Sequence, residues 1–184
     1  MNKKTITVHD KTFELYILAS EITTRVAELG KNISGDYRHK NPLLICILNG
    51  AFVFAADLAR TLDIECEISF TKLSSYSGLK SSGEVTVILG LDISVEGRHV
   101  IIVEDIVDTG ITMNRFLKQI NLLKPASVEI AACFVKSESI IDPVEVKYAG
   151  FNITNRFIIG YGLDYNGHGR NLADVYLLKN SELK

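Results

Sequence analysis

Val103-Glu104-Asp105-Ile106-Val107-Asp108-Thr109-Gly110-Ile111-Thr112 is the stretch on which the reading of this chain turns. An apolar run, Val100 to Val103, leads into it, and an amphipathic segment, Thr112 to Lys124, follows. The pattern predicts a buried strand whose tip carries acids, then a tight turn, then a helix start. The first N–H groups of a helix have no intrahelical partner, so that end is a ready anion site. Carboxylates beside it can hold hydroxyls, a hydrated metal ion or a proton. A site for bare phosphate has no use for three acids. A sugar phosphate uses both halves, amides for the phosphate and carboxylates for the sugar.

Outward from this segment, the runs Leu43 to Leu48, His99 to Val103 and Ser127 to Val135 are nearly continuous in apolar residues. That suits strands buried on both faces of a parallel sheet. Further strand-like runs are Ile64 to Phe70, Val85 to Leu91 and Phe157 to Ile159. Helical spacing lies between them. Ser20 is placed to cap a helix in which Ile22, Val26, Leu29 and Ile33 share a face. Ala51 to Arg60 forms a second helix. Phe116, Ile120 and Leu123 mark a third, which Pro125 stops. Strand-helix alternation implies an α/β fold with a largely parallel sheet, and residues 1–184 are read as one domain. In such sheets ligands bind beyond the carboxyl ends of the strands.

Of the 184 residues, 47% are hydrophobic, enough to fill a sizeable core. The net charge of −2 comes without a basic block, which gives nucleic-acid binding little electrostatic support. Cys46, Cys66 and Cys133 are odd in number, lack zinc spacing and sit in or beside apolar runs. They read as buried, reduced thiols of a cytoplasmic protein. The opening MNKKTITVHD lacks a signal-peptide core, and no stretch reaches transmembrane length, so no membrane association is expected. The sequons at Asn32 and Asn152 carry no weight in that compartment.

The segment VEDIVDTGIT resembles the phosphoribosyl-pyrophosphate (PRPP) signature of the purine and pyrimidine phosphoribosyltransferases: apolar residues, two acids, two apolar residues, an acid, then Thr-Gly and Thr. Further segments match in chain order, from about residue 10 to residue 178. Lys136, RFIIGYGLDYN and Arg170 narrow the resemblance to the hypoxanthine-guanine branch of bacterial type. It implies the type I phosphoribosyltransferase fold: a largely parallel twisted sheet flanked by helices, a small hood over the strand ends and a flexible lid loop.

The resemblance also implies roles. Glu104 and Asp105 hold the ribose hydroxyls, directly or through magnesium and water. Thr109, Gly110, Ile111 and Thr112 hold the 5-phosphate. Asp108 is the candidate general base for purine N7. Asn49 and Gly50, otherwise a plain strand-helix turn, become the pyrophosphate loop. Members usually carry Lys-Gly there, often with a non-proline cis bond, so Asn49 removes a cation. Ser75-Tyr76, inside the loop-like stretch Leu73 to Gly83, matches the lid, whose closure excludes water.

Lys136, which on its own reads as a solvated strand-end lysine, is implied to donate to a purine 6-oxo group, favouring oxo over amino bases. Phe157 is implied to stack on the base. The Ile158 carbonyl faces the base edge. Asp164 is implied as a magnesium ligand and Arg170 as a pyrophosphate clamp, with Mg2+ the cofactor. His168 between them is read as a solvent-exposed loop histidine. The implied partners are PRPP, 6-oxopurine bases and pyrophosphate, in a homodimer or homotetramer. Alternatives are a xanthine/guanine-selective transferase, a pyrimidine transferase, and a PRPP-responsive nucleic-acid-binding regulator.

Overall fold

In the computed structural model, residues 4–75, 85–91 and 93–179 are described. In chain order the elements are β1 (Thr5–Val8), β2 (Lys11–Ile17), α1 (Ala19–Asp36), β3 (Leu43–Leu48), α2 (Phe52–Thr61), β4 (Glu67–Ser75), β5 (Val85–Leu89), β6 (His99–Val107), α3 (Ile111–Leu122), β7 (Ser127–Val135), β8 (Tyr148–Asn152), β9 (Ile158–Ile159) and β10 (Val175–Leu178). They build two sheets. The larger has the order β5-β4-β3-β6-β7-β8, parallel throughout except for the antiparallel edge strand β5. The smaller, β1-β2-β10-β9, is antiparallel.

Two cores lie on opposite faces of the large sheet. On one, Ile22, Val26, Leu29 and Ile33 of α1 pack with Phe54 and Leu58 of α2 over Leu44, Cys46, Ile101 and Val103. On the other, Met113, Phe116 and Ile120 of α3 cover Leu43, Ile45, Val100 and Ile102. Neighbouring residues of β3 and β6 thus serve alternate cores, which is why these strands read as unbroken apolar runs. The small sheet has its own cluster, with Phe13, Ile159, Tyr176 and Leu178 at its centre.

Several expectations are corrected. Ser20 does not cap α1. The N-cap is Leu18, whose N–H donates to Glu21 Oε2 (2.9 Å), while Ala19 N–H donates to Asp174 Oδ1 (2.9 Å), a carboxylate from the far end of the chain. β6 does not stop at Val103; it carries Glu104 and Asp105 within the strand and ends at Val107. β4 starts three residues later than expected and takes in Leu73 to Ser75, part of the loop-like stretch. Leu123 leaves the buried face of α3: it is the C-cap and 48% exposed, and Met113 takes its place in the core. β1, β2, β8 and β10 had no counterpart among the strand-like runs.

Candidate active site

Strand register brings the acids and the lysine together. β6 and β7 run parallel with Val107 opposite Val135, so the residues that follow, Asp108 and Lys136, leave the sheet side by side. Lys136 N–H donates to the Val107 carbonyl (2.9 Å), and its Nζ donates to Asp108 Oδ2 at 2.8 Å. Lys136 is only 8% exposed. A buried ammonium is retained only with a partner, and Asp108 supplies it. The solvated strand-end lysine is thereby ruled out.

Glu104, Asp105, Asp108, Thr109, Gly110 and Thr112 line one cleft of about 280 Å³, together with Ile47, Leu73 and Met113. Gly110 caps α3 in the left-handed region (φ 81°) without a side-chain cap bond, so the first amides of the helix have no side chain closing them off. Ile111, the first residue of α3, is not among the lining residues.

Burial pushes the Glu104 carboxyl well above the usual carboxylate range, and the adjoining Asp105 carboxyl raises it further. Asp105 is itself buried, with Oδ1 accepting from Ile106 N–H at 2.8 Å. An acid with a raised value keeps its proton in the folded state over a pH window where the unfolded chain has lost it. Stability therefore falls as pH rises through that window. Glu104→Gln is accordingly expected to raise Tm more at about pH 8 than at about pH 5. Melting curves at both values check this; an equal gain at both would remove the ionisation argument.

The Asn49-Gly50 turn closes on these acids. The Leu48–Asn49 peptide is cis. A Cβ on Gly50 would stand 1.5 Å from Asp105 Oδ2, and a Cβ on Gly162 would stand 2.1 Å from the Gly50 carbonyl oxygen. The turn is therefore held between the acidic strand and the glycine-rich tail. Within that tail Arg170 Nη2 pairs with Asp164 Oδ1 (2.7 Å) and Arg170 Nη1 donates to the Gly162 carbonyl (2.7 Å). The second Asp164 oxygen accepts from Gly167 N–H at 2.7 Å. Tyr161 anchors the start of the tail by donating to Asp57 Oδ2 of α2 (2.8 Å), and burial, followed by that bond, pushes its phenol up.

Phe157 is not among the residues that line the cleft. Its ring is 42% exposed and packs on Phe13 and Tyr165, with centroids 6.4 and 6.0 Å away. Ile158 is buried in the small sheet opposite Leu177. His168 is exposed, as expected, with its ring edge-on to His9 at 4.3 Å. Ser75 ends β4, and Tyr76 lies outside the described residues. Sequence reasoning missed Ile47, Leu73 and Met113 as cleft walls. Met113 could have been found from the helical spacing Met113, Phe116, Ile120.

Among the described residues no group of three or more His, Cys, Asp or Glu side chains forms a metal cage. What is present is an oxygen-only donor set, Glu104 with Asp105 and, separately, Asp164. That fits magnesium, which takes one or two carboxylates and completes its shell with water and phosphate oxygens. No described helix is long and apolar enough to cross a membrane.

Residues 17–166 match the family model of the phosphoribosyl transferase domain. The hypoxanthine-guanine-xanthine phosphoribosyltransferase of Tritrichomonas foetus is 42% identical over 163 residues, 88% of each chain. The hypoxanthine-guanine phosphoribosyltransferase of Streptococcus thermophilus is 42% identical over 160 residues, 86% of this chain and 89% of the relative. A solved hypoxanthine phosphoribosyltransferase from Staphylococcus aureus superposes with a TM-score of 0.88 at 34% identity, over 93% of this chain and 94% of that one. The Trypanosoma cruzi hypoxanthine phosphoribosyl transferase gives 0.87 at 37% identity, over 96% of both. With the signature strand, turn and helix in place, the chain belongs to the phosphoribosyltransferase family, in the branch of the hypoxanthine-guanine enzymes.

Proposed function

We propose that the protein is a purine-salvage enzyme that transfers the 5-phosphoribosyl group of PRPP to N9 of hypoxanthine or guanine, releasing pyrophosphate and IMP or GMP. The observation that carries the assignment to 6-oxopurines is the buried Lys136 ammonium held 2.8 Å from Asp108 at the carboxyl ends of adjacent strands. An ammonium has three donors and no acceptor, so it meets a 6-oxo group and not a 6-amino group.

In this reading the Thr109–Thr112 amides and hydroxyls hold the 5-phosphate at the N-terminus of α3. Glu104 and Asp105 accept from the ribose hydroxyls. Asp108 takes the proton from purine N7 as N9 attacks C1 and the C1–O bond to pyrophosphate breaks. Lys136 and Phe157 orient the base, with the Ile158 carbonyl at its edge. Gly50 offers backbone to the pyrophosphate, and Arg170 stabilises the charge that develops on it. Magnesium, held by Asp164 and by the Glu104–Asp105 pair, would neutralise diphosphate charge. Ser75 and Tyr76 serve as the lid. Free thiols suit a reducing, cytoplasmic setting. A homodimer or homotetramer is proposed, supported by Ile68 and Phe70, 45% and 44% exposed on one face of β4.

The test is a magnesium-dependent assay with PRPP and, separately, hypoxanthine, guanine, xanthine and adenine, with the nucleotide read by chromatography. Hypoxanthine and guanine are expected to turn over and adenine not. Turnover of xanthine without hypoxanthine would move the specificity and keep the mechanism. No turnover with PRPP still bound would overturn the enzyme reading.

Asn49, exposed at the pyrophosphate turn, offers a second check. Asn49→Lys adds a cation there and is expected to tighten product inhibition by pyrophosphate about two- to fivefold, the scale of an exposed ion pair. Base choice stays unchanged. Equal inhibition constants in the two proteins would show that this side chain does not face the pyrophosphate.

A further inference from the structure

The connection after Lys136 is lashed to the Thr109-Gly110 turn. Ile141 and Asp142 both donate their N–H groups to the Thr109 carbonyl, at 3.0 and 3.1 Å. The Thr109–Gly110 peptide is trans. Its carbonyl and its N–H therefore point in opposite directions. Anchoring the carbonyl in the 141–142 connection turns the Gly110 N–H away from that connection, and the same turn, with Thr109, Gly110 and Thr112, lines the cleft.

The Asn114 side chain ties this strap to α3. Asn114, one turn into α3, donates through Nδ2 to the carbonyls of Asp142 (3.2 Å) and Pro143 (2.9 Å). Its own N–H donates to the Gly110 carbonyl at 2.9 Å. The Asp142 carbonyl it fixes is the surface on which Gly110 rests, since a Cβ on Gly110 would lie 2.1 Å from that oxygen. Asn114 thus touches the turn from the helix side and the strap from the far side, without being among the residues that line the cleft.

We propose that Asn114 is a positioning residue for the 5-phosphate: it holds the 141–143 connection on the Thr109 carbonyl and so orients the Gly110 amide toward the phosphate. The proposal rests on the assignment of the Thr109–Thr112 turn as the phosphate site. Asn114→Leu keeps the size of the side chain and removes the donor. KM for PRPP and the inhibition constant of IMP are expected to rise together by about tenfold, the scale of losing two hydrogen bonds of ordinary net strength. KM for hypoxanthine stays within about twofold, because the base does not use the turn. Asn114→Gln, which retains the donor, is expected to recover most of the PRPP affinity.

A melting curve of each variant accompanies the kinetics, and Thr112→Val, which alters the cleft wall directly, is the reference. An unchanged KM for PRPP in Asn114→Leu while Thr112→Val raises it would overturn the role of Asn114 alone. If neither changes, the phosphate assignment itself falls. A lower Tm with both KM values unmoved and only kcat reduced would make Asn114 merely structural and would also overturn the proposal.

Discussion

Asp108→Asn is expected to lower kcat about 10²- to 10³-fold, the range for removing a general base. KM for PRPP is expected to move by no more than about threefold, since the contacts proposed for phosphate and ribose lie elsewhere in the cleft. The substitution keeps the shape and deletes the proton acceptor. It also leaves the Lys136 ammonium, 8% exposed, without its counter-charge at 2.8 Å, so KM for the base should rise as well. Steady-state kinetics with both substrates, repeated across pH, separates the two effects. Loss of the base should lower kcat, whereas a disturbed ion pair alone would show in KM for the base. An unchanged kcat would remove Asp108 from proton transfer.

Gly110→Ala should have the next largest effect, because it breaks two requirements at once. The residue sits at φ 81°, where a side chain costs roughly 1–2 kcal/mol. Its Cβ would lie 2.1 Å from the Asp142 backbone oxygen, which belongs to a hydrogen-bonded strap and cannot swing aside as a side chain would. Overpacking of this kind costs about 1–3 kcal/mol. The summed loss, roughly 2–5 kcal/mol, corresponds to a drop in Tm of about 5–15 °C for a chain of this size. KM for PRPP should rise well beyond the effect of Asn114→Leu, because relief comes only by lifting the strap from the Thr109 carbonyl. Calorimetry and PRPP kinetics check this. A Tm within about 2 °C of the parent would mean that the strap adjusts freely.

Gly50 makes an instructive contrast. There a Cβ would meet a carboxylate oxygen of Asp105, the end of a side chain that can rotate. The cost would fall on the site, by displacing Asp105, more than on the fold.

Much of the architecture was legible because it depends on local pattern. Unbroken apolar runs at β3, β6 and β7 marked doubly covered strands, and both β3 and β7 were placed to the residue. The 3.6-residue spacing marked all three helices. The acids followed by Thr-Gly were legible for the same reason, since strand, turn and helix start are consecutive in the chain. Most of the small sheet was not legible, although β9 falls within the expected run Phe157 to Ile159. Its strands come from both ends of the described chain, β1 and β2 against β9 and β10, and β1, β9 and β10 have four residues or fewer. The cap of α1 failed for a related reason: its best acceptor, Asp174, is 155 residues away.

By itself the sequence determined which residues have the chemistry: carboxylates at 104, 105 and 108, a Thr-Gly turn at 109–110, a lysine at 136, an aspartate and an arginine at 164 and 170. What it left undecided is how these residues pair. Lys136 reads as a solvated lysine until parallel register sets Val107 opposite Val135 and buries its ammonium on Asp108. Asp164 and Arg170 are only an acid and a cation six residues apart in a glycine-rich stretch until the tail folds back against Gly50 and pairs them. Asn114 reads as an ordinary polar position of an amphipathic helix until the 141–143 connection lies across it. Residue types and local periodicity are properties of neighbours in the chain. Register, burial and the closing of distant segments are settled by the packing of the whole molecule, and only there do these side chains acquire their partners.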